Sequence, residues 1–117
     1  MLALKVNLAQ SSSVATMIFD EVDAGVGGAT AQAVGERLAR LARDVQVLVV
    51  THSPQVAACG NNHFKVEKST AGNVTTTTVR ELTKIEKSEE IARMLAGEVI
   101  TDAARAAAKV LMKEKSA

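Results

Sequence analysis

The sequence predicts an α/β fold: a small parallel sheet, then an antiparallel hairpin and C-terminal helices. Three observations carry this. Two short apolar runs, Ala15 to Phe19 and Val45 to Val50, are separated by one helical period and short links; a strand, helix and strand so spaced imply a parallel pair with a right-handed crossover. Two β-prone segments then flank Gly72, as in a hairpin. Beyond residue 82 the apolar spacing becomes helical and alanine-rich.

Composition bounds the possibilities. A chain of 117 residues is about one domain and can bury a real core. It is 47% hydrophobic and 23% charged with a single proline, which excludes wholesale disorder. Fourteen basic and 13 acidic side chains leave a net charge of +1, so a nucleic-acid or membrane partner would need a local site. Two Phe with no Trp or Tyr leave no stacking platform for single strands. Cys59 is alone, the N-terminus has no signal-peptide pattern, and no apolar run approaches the roughly 20 residues that cross a bilayer. These features predict a cytoplasmic protein with no membrane partner.

Along the chain, Met1 to Ala9 has helical apolar spacing with no cap before it, and Gln10 to Ser13 breaks it. Ala15 to Phe19 reads as a buried strand ending at Asp20-Glu21. Gly25, Gly27 and Gly28 make a flexible loop, and Val34, Leu38 and Leu41 mark a helix face up to about Arg43. Val45 to Val50 is a second buried strand, followed by Thr51-His52-Ser53-Pro54 and a helical turn over Gln55 to Ala58. His63 to Lys68 and Val74 to Arg80 are strands joined through Ser69 to Asn73. Thr83 with Glu86 is a capping box, opening a helix with Ile85, Ala92, Met94 and Leu95 on its apolar side and Gly97 at its end. Thr101-Asp102 starts a last helix to about Lys115. No internal boundary divides residues 1–117.

The segment TMIFDEVDAGVGG, residues 16–28, carries the most chemistry. An apolar strand ending in two carboxylates can hold Mg²⁺ near a phosphate and polarise a water; equally, a buried strand can end in acidic loop residues without any such role. In VLVVTHS, residues 47–53, a histidine follows the next strand, at the edge where open parallel sheets bind ligands. A single crossover brings Asp20, Glu21 and His52 to one edge of the sheet.

MIFDEVDAGVGG, followed a helix later by VLVVTHSPQVA, a hairpin and two helices, resembles the C-terminal part of the ATPase head of the RecN family, the bacterial DNA-repair branch of the SMC-like ABC ATPases. The resemblance covers nearly the whole chain. It implies a partial P-loop NTPase (ABC-type) head in which Asp20 ends the Walker B strand and meets Mg²⁺, Glu21 is the catalytic glutamate, and His52 is the switch histidine sensing the γ-phosphate. Asp20, Asp23, Gly25, Gly27 and Gly28 would bind the cofactor ATP, the last four in or beside the D-loop. Many ABC ATPases end that loop with aspartate; Gly27 or Gly28 stands here.

No G-x-x-x-x-G-K-[ST] loop and no Ser-Gly-Gly signature occur in the sequence. The resemblance therefore implies that residues 1–117 are a single C-terminal lobe of a longer protein, inactive alone. Its partners would be the N-terminal part of the head, a second copy with ATP sandwiched between, and DNA, in cytoplasmic, nucleoid-associated double-strand-break repair. Two rivals stand beside this: a stand-alone phosphohydrolase holding Mg²⁺ or Mn²⁺ with Asp20, Glu21, Asp23 and His52, and a catalytically silent interaction module. Arg37, Arg40 and Arg43 form a helical stripe that is either a solvated face or a phosphate contact. Lys109, Lys113 and Lys115 match a helix dipole, Cys59 and His63 lack metal-ligand spacing, and Met94 and Met112 read as core.

Overall fold

The computed structural model describes residues 16–115, with side chains through Lys113; the helix expected over Met1 to Ala9 lies outside them. Strand β1, Thr16–Asp20, pairs in parallel with β2, Gln46–Val50, and helix α1, Gly28–Leu41, joins them. The register sets Thr16 opposite Gln46 and Asp20 opposite Val50, and the Glu21 amide continues the ladder to the Val50 carbonyl at 2.8 Å. Val45, expected in β2, instead donates its amide to Leu41 at 3.2 Å, so it closes the C-terminal turn of α1.

Both strands were expected to be buried throughout; the structure buries one face. Side chains alternate across a strand, and Met17, Phe19, Val47 and Val49 face α1, where they pack with Ala31, Leu38, Leu41 and Val56. Ile18, Leu48 and Val50 on the other face are exposed among the described residues, because α1 and the next helix cover only one side.

That next helix, α2, Pro54–Ala58, is short but well capped. The Ser53 hydroxyl accepts the Val56 amide at 3.3 Å and Pro54 takes the first helical position, which has no amide partner to lose. Val56 enters the sheet core while Ala58 enters a second cluster with Ile91, Ala92, Ala104 and Ala108. Gly35 of α1 fits against α2: a Cβ there would lie 2.7 Å from Cys59 Sγ and 3.2 Å from Val56 Cα.

Strands β3, Phe64–Ala71, and β4, Val74–Glu81, pair antiparallel through a two-residue turn. The expected link over Ser69 to Asn73 is shorter than read, because Gly72 at φ 62° supplies the positive φ that a tight hairpin needs. The hairpin meets helix α3, Lys84–Ala96, through charge: Lys65 Nζ lies 3.0 Å from Glu90, and Arg80 pairs with Glu86. The capping box forms as read, with Thr83 accepting the Glu86 amide and Glu86 accepting the Thr83 amide. That amide and Arg80 hold the Glu86 carboxyl down at about 2.

Of the four residues expected on the apolar side of α3, only Ala92 is fully buried and Met94 is half-buried. Ile85 is 82% exposed and Leu95 partly so, while Glu90, Ile91 and Ala92 are buried. Packing against α2 and the last helix, α4, Asp102–Lys115, selects Ile91 and Ala92; Glu90 is tolerated there because Arg93 and Lys65 pair with it. Burial works to raise the Glu90 carboxyl, and those two cations outweigh it and hold it below its ordinary value. Gly97 ends α3 at φ 88°, Thr101 accepts the Ala104 amide at the start of α4, and Arg105 braces α4 to Glu89 at 3.1 Å. Met112 packs on the second cluster.

Gly35 and His63 each make this packing testable. Gly35→Ala would gain up to about 1 kcal/mol in an exposed helix, but overpacking against backbone costs about 1–3 kcal/mol, so the variant is expected to melt below the parent; an equal or higher melting temperature would contradict the contact. The second test concerns His63, whose Nδ1 is buried without a hydrogen-bond partner. Burial, and then Lys87, push its imidazole below its ordinary value. A group depressed in the folded state binds its proton more readily when unfolded, so its stabilisation is present above the unfolded value of about 6.5 and is lost as pH falls below it. Melting temperature is expected to fall across that range, and His63→Phe should flatten the fall.

Candidate functional site

Because β1 and β2 run parallel and end in register at Asp20 and Val50, the chain leaves both strands at the same edge. Glu21 and His52 emerge there side by side, with Glu21 Oε1 3.1 Å from His52 Nε2. Their side chains are 50% and 88% exposed, so the pair faces solvent and contributes only about 0–1 kcal/mol on its own. Glu21 has φ 49°, the left-handed region, and is the only non-glycine residue with positive φ among those described. Such strain persists where the surroundings over-determine it and clusters at functional sites.

Behind this pair a second contact joins the same two loops. Asp23 is 7% exposed, and its Oδ2 accepts the Thr51 hydroxyl at 2.5 Å. The same hydroxyl accepts the Ser53 amide at 2.9 Å, just ahead of the α2 cap. A hydrogen bond to a charged group out of solvent is worth about 1.5–3 kcal/mol, more than the exposed Glu21–His52 contact. Turns close the loop after β1, with the Ala24 amide on Glu21 at 3.1 Å and the Val26 amide on Asp23 at 3.3 Å. Gly25 needs its φ of 77°. Gly27 caps α1 with extended backbone, and Gly28 sits 3.4 Å, at its would-be Cβ, from Gln55 Nε2; the expected flexible loop is therefore shorter, its last glycine belonging to the helix.

Glu21, Asp23, Gly25, His52 and Gln55 line an open depression of about 330 Å³. Of the residues expected at the site, Glu21 and His52 meet, Asp23 stands behind them, and Gly25 borders them. Asp20 does not line the depression; the strand alternation sets it with Ile18 on the open face of the sheet, and it is exposed. No three His, Cys, Asp or Glu residues among those described group to hold a metal; Asp23 is bonded to Thr51 and Asp20 lies outside the depression, so Asp20, Glu21, Asp23 and His52 do not form one ligand set. Mg²⁺ fits differently: it is commonly held by one or two carboxylates plus substrate phosphates, and Asp20 and Glu21 are hard oxygen donors of that kind. Sequence reasoning missed Thr51 and Gln55. A hydroxyl between a strand end and a helix cap was the available signal for Thr51, since Ser and Thr bond to nearby backbone at such turns.

No family model matches the chain. The fold is similar to that of a solved chain from a study of the ATP-driven dimerization and DNA-stimulated activation of SMC ATPases, which superposes with a TM-score of 0.63, covering 84% of this chain and 58% of that one at 19% identity. In sequence the chain is RecN-like along almost its entire length. It is 50% identical over 113 residues to the DNA repair protein RecN of Streptomyces coelicolor, covering 97% of this chain and 20% of that protein. With RecN of Mycobacterium leprae it shares 51% over 120 residues, covering 99% and 20%; with that of Bacillus subtilis, 44% over 114 residues, covering 97% and 20%. The chain thus spans about one fifth of the length of these relatives.

The backbone of Glu21 gives a direct test. A Cβ in the left-handed region costs about 1–2 kcal/mol, so Glu21→Gly is expected to be more stable than Glu21→Ala, by about 1 kcal/mol after the entropy that glycine adds to the unfolded chain. Urea unfolding of the two variants of this chain reads the difference; equal midpoints would mean that Glu21 is not held at positive φ.

Proposed function

We propose that this chain is the C-terminal lobe of a RecN-like ATPase head and acts within a longer polypeptide that hydrolyses ATP during the repair of DNA double-strand breaks. The observation that carries the reading is the Glu21 carboxylate beside the His52 ring at 3.1 Å, at the carboxyl edge of a parallel pair, in a sequence that is RecN-like over 97% of its length.

In this reading ATP is the substrate and Mg²⁺ its counter-ion, supplying charge neutralisation at the phosphates when bound. Asp20, which ends β1 next to Glu21 on the open face of the sheet and outside the depression, is the residue that would hold the metal, on that side of the strand end. Glu21 accepts a hydrogen bond from the attacking water and orients it, a role that suits a carboxylate fixed at the edge of an open depression. His52 meets Glu21 through Nε2, and a neutral ring has one N–H to give, so with nucleotide bound that donor would pass from Glu21 to the terminal phosphate. The loop from Asp23 through Gly25, Gly27 and Gly28 borders the nucleotide, its small residues allowing close approach of a second head. The partners we propose are the N-terminal part of the head, a second copy and DNA. No helix among the described residues is long and apolar enough to cross a membrane, which is compatible with a cytoplasmic, nucleoid-associated protein. The isolated chain, without a glycine-rich phosphate loop in its sequence, should neither bind ATP tightly nor turn it over.

Glu21→Gln in the full-length protein tests the assignment. The amide keeps the shape and cannot take up a proton, so ATP binding is expected to persist while turnover falls by on the order of 10²- to 10⁴-fold. Steady-state ATPase rates and nucleotide titration measure both. Turnover near wild type would sink the assignment of Glu21.

A further inference from the structure

We infer that Thr51 is a positioning residue: its hydroxyl ties the Asp23 carboxylate to the Ser53 backbone and so fixes Glu21 against His52. The inference rests on the nucleotide-hydrolysis reading above and adds to it the part that holds the two reacting groups in register.

Glu21 and His52 sit on separate loops, and their own contact is exposed to solvent, where ion pairs are weak and screened. Something else must hold the loops together. Thr51 immediately precedes His52 and Asp23 follows Glu21 by two residues, so a bond between them closes behind the exposed pair. A hydroxyl has one proton and two lone pairs. Thr51 spends its proton on Asp23 Oδ2 and a lone pair on the Ser53 amide, which leaves its orientation fully determined. Asp23 is almost wholly buried, and a buried carboxylate that loses its donor is strongly disfavoured. The bond is therefore one that the loops cannot give up without rearranging. It also answers the backbone of Glu21, whose left-handed conformation needs enforcement from its surroundings. On this account the Asp23 carboxylate serves geometry, being already committed to Thr51, while the backbone of its loop is left to border the nucleotide.

The test is made in the full-length protein by steady-state ATP hydrolysis with Mg²⁺. Thr51→Val keeps the shape and removes the hydroxyl; kcat is expected to fall about tenfold or more, the scale of a small misplacement of reacting groups, with KM for ATP held within about threefold. Thr51→Ser restores the hydroxyl and should recover kcat to within about twofold, an outcome that loss of packing would not give. Should Thr51→Val fail to fold, Asp23→Asn, which keeps an acceptor oxygen but weakens the bond, is expected to lower kcat with KM unchanged. Where both fold, the double variant should be no slower than Thr51→Val alone; losses that multiply would show two independent residues and overturn the clamp. Wild-type kcat in Thr51→Val, or a serine variant as slow as the valine one, would overturn it too. Glu21→Gln run alongside separates the two failures: if it abolishes turnover and Thr51→Val does not, the clamp is wrong and the hydrolytic site stands; if Glu21→Gln turns over normally, the site itself is misassigned.

Discussion

The register of two short parallel strands decides where everything else in this segment can be. Five paired residues bring Asp20 level with Val50, and one further ladder bond, from the Glu21 amide to the Val50 carbonyl, stops the chain in the conformation that turns Glu21 toward His52. A slip of one residue would send Phe19 to the open face and Ile18 into the core, and the two loops would leave the edge out of step. Phe19, 1% exposed and packed on α1, is what forbids the slip. The site is thus specified by the burial of an apolar side chain two residues before Glu21.

Much of this could be read from residue types. The strand-helix-strand order, the hairpin, the capping box of Thr83 with Glu86 and the stop at Gly97 all rest on local chemistry, and local chemistry is visible in a sequence. The juxtaposition of Glu21 and His52 was also legible, because parallel strands joined by one crossover must end at one edge. What sequence could not disclose were choices made by neighbours. Ile85 fits the helical stripe of α3 as well as Ile91 does, and only the positions of Ala58, Ala104 and Ala108 select the latter. Asp23 reads as one more acidic loop residue until Thr51 is found beside it, 28 residues away in the chain. The face of the sheet left exposed among the described residues was likewise hidden, since a run such as Val47 to Val50 is equally apolar whether one side or both are covered.

The polar groups divide by how they are paired. On the hairpin and the outer helices, Arg80 with Glu86 and Arg105 with Glu89 lie open to water and define position more than stability. Glu90 is different: it sits in the interior between Lys65 and Arg93 and anchors a hairpin whose apolar residues Phe64, Val66 and Val79 are largely exposed. The hairpin is therefore joined to the rest by electrostatics, whereas the sheet and helices are joined by packing.

The five-residue helix α2 belongs to two cores at once, Val56 to the one beneath the sheet and Ala58 to the one between α3 and α4. The two buried clusters thus meet at one short helix, which works as a splice between them. Here it is tight, because Ser53 caps it, Pro54 stiffens it and Gly35 lets α1 press directly on its backbone. His52 directly precedes the Ser53 cap of that splice, so the sheet edge and the C-terminal helical pair are separated by a single short, tightly held helix.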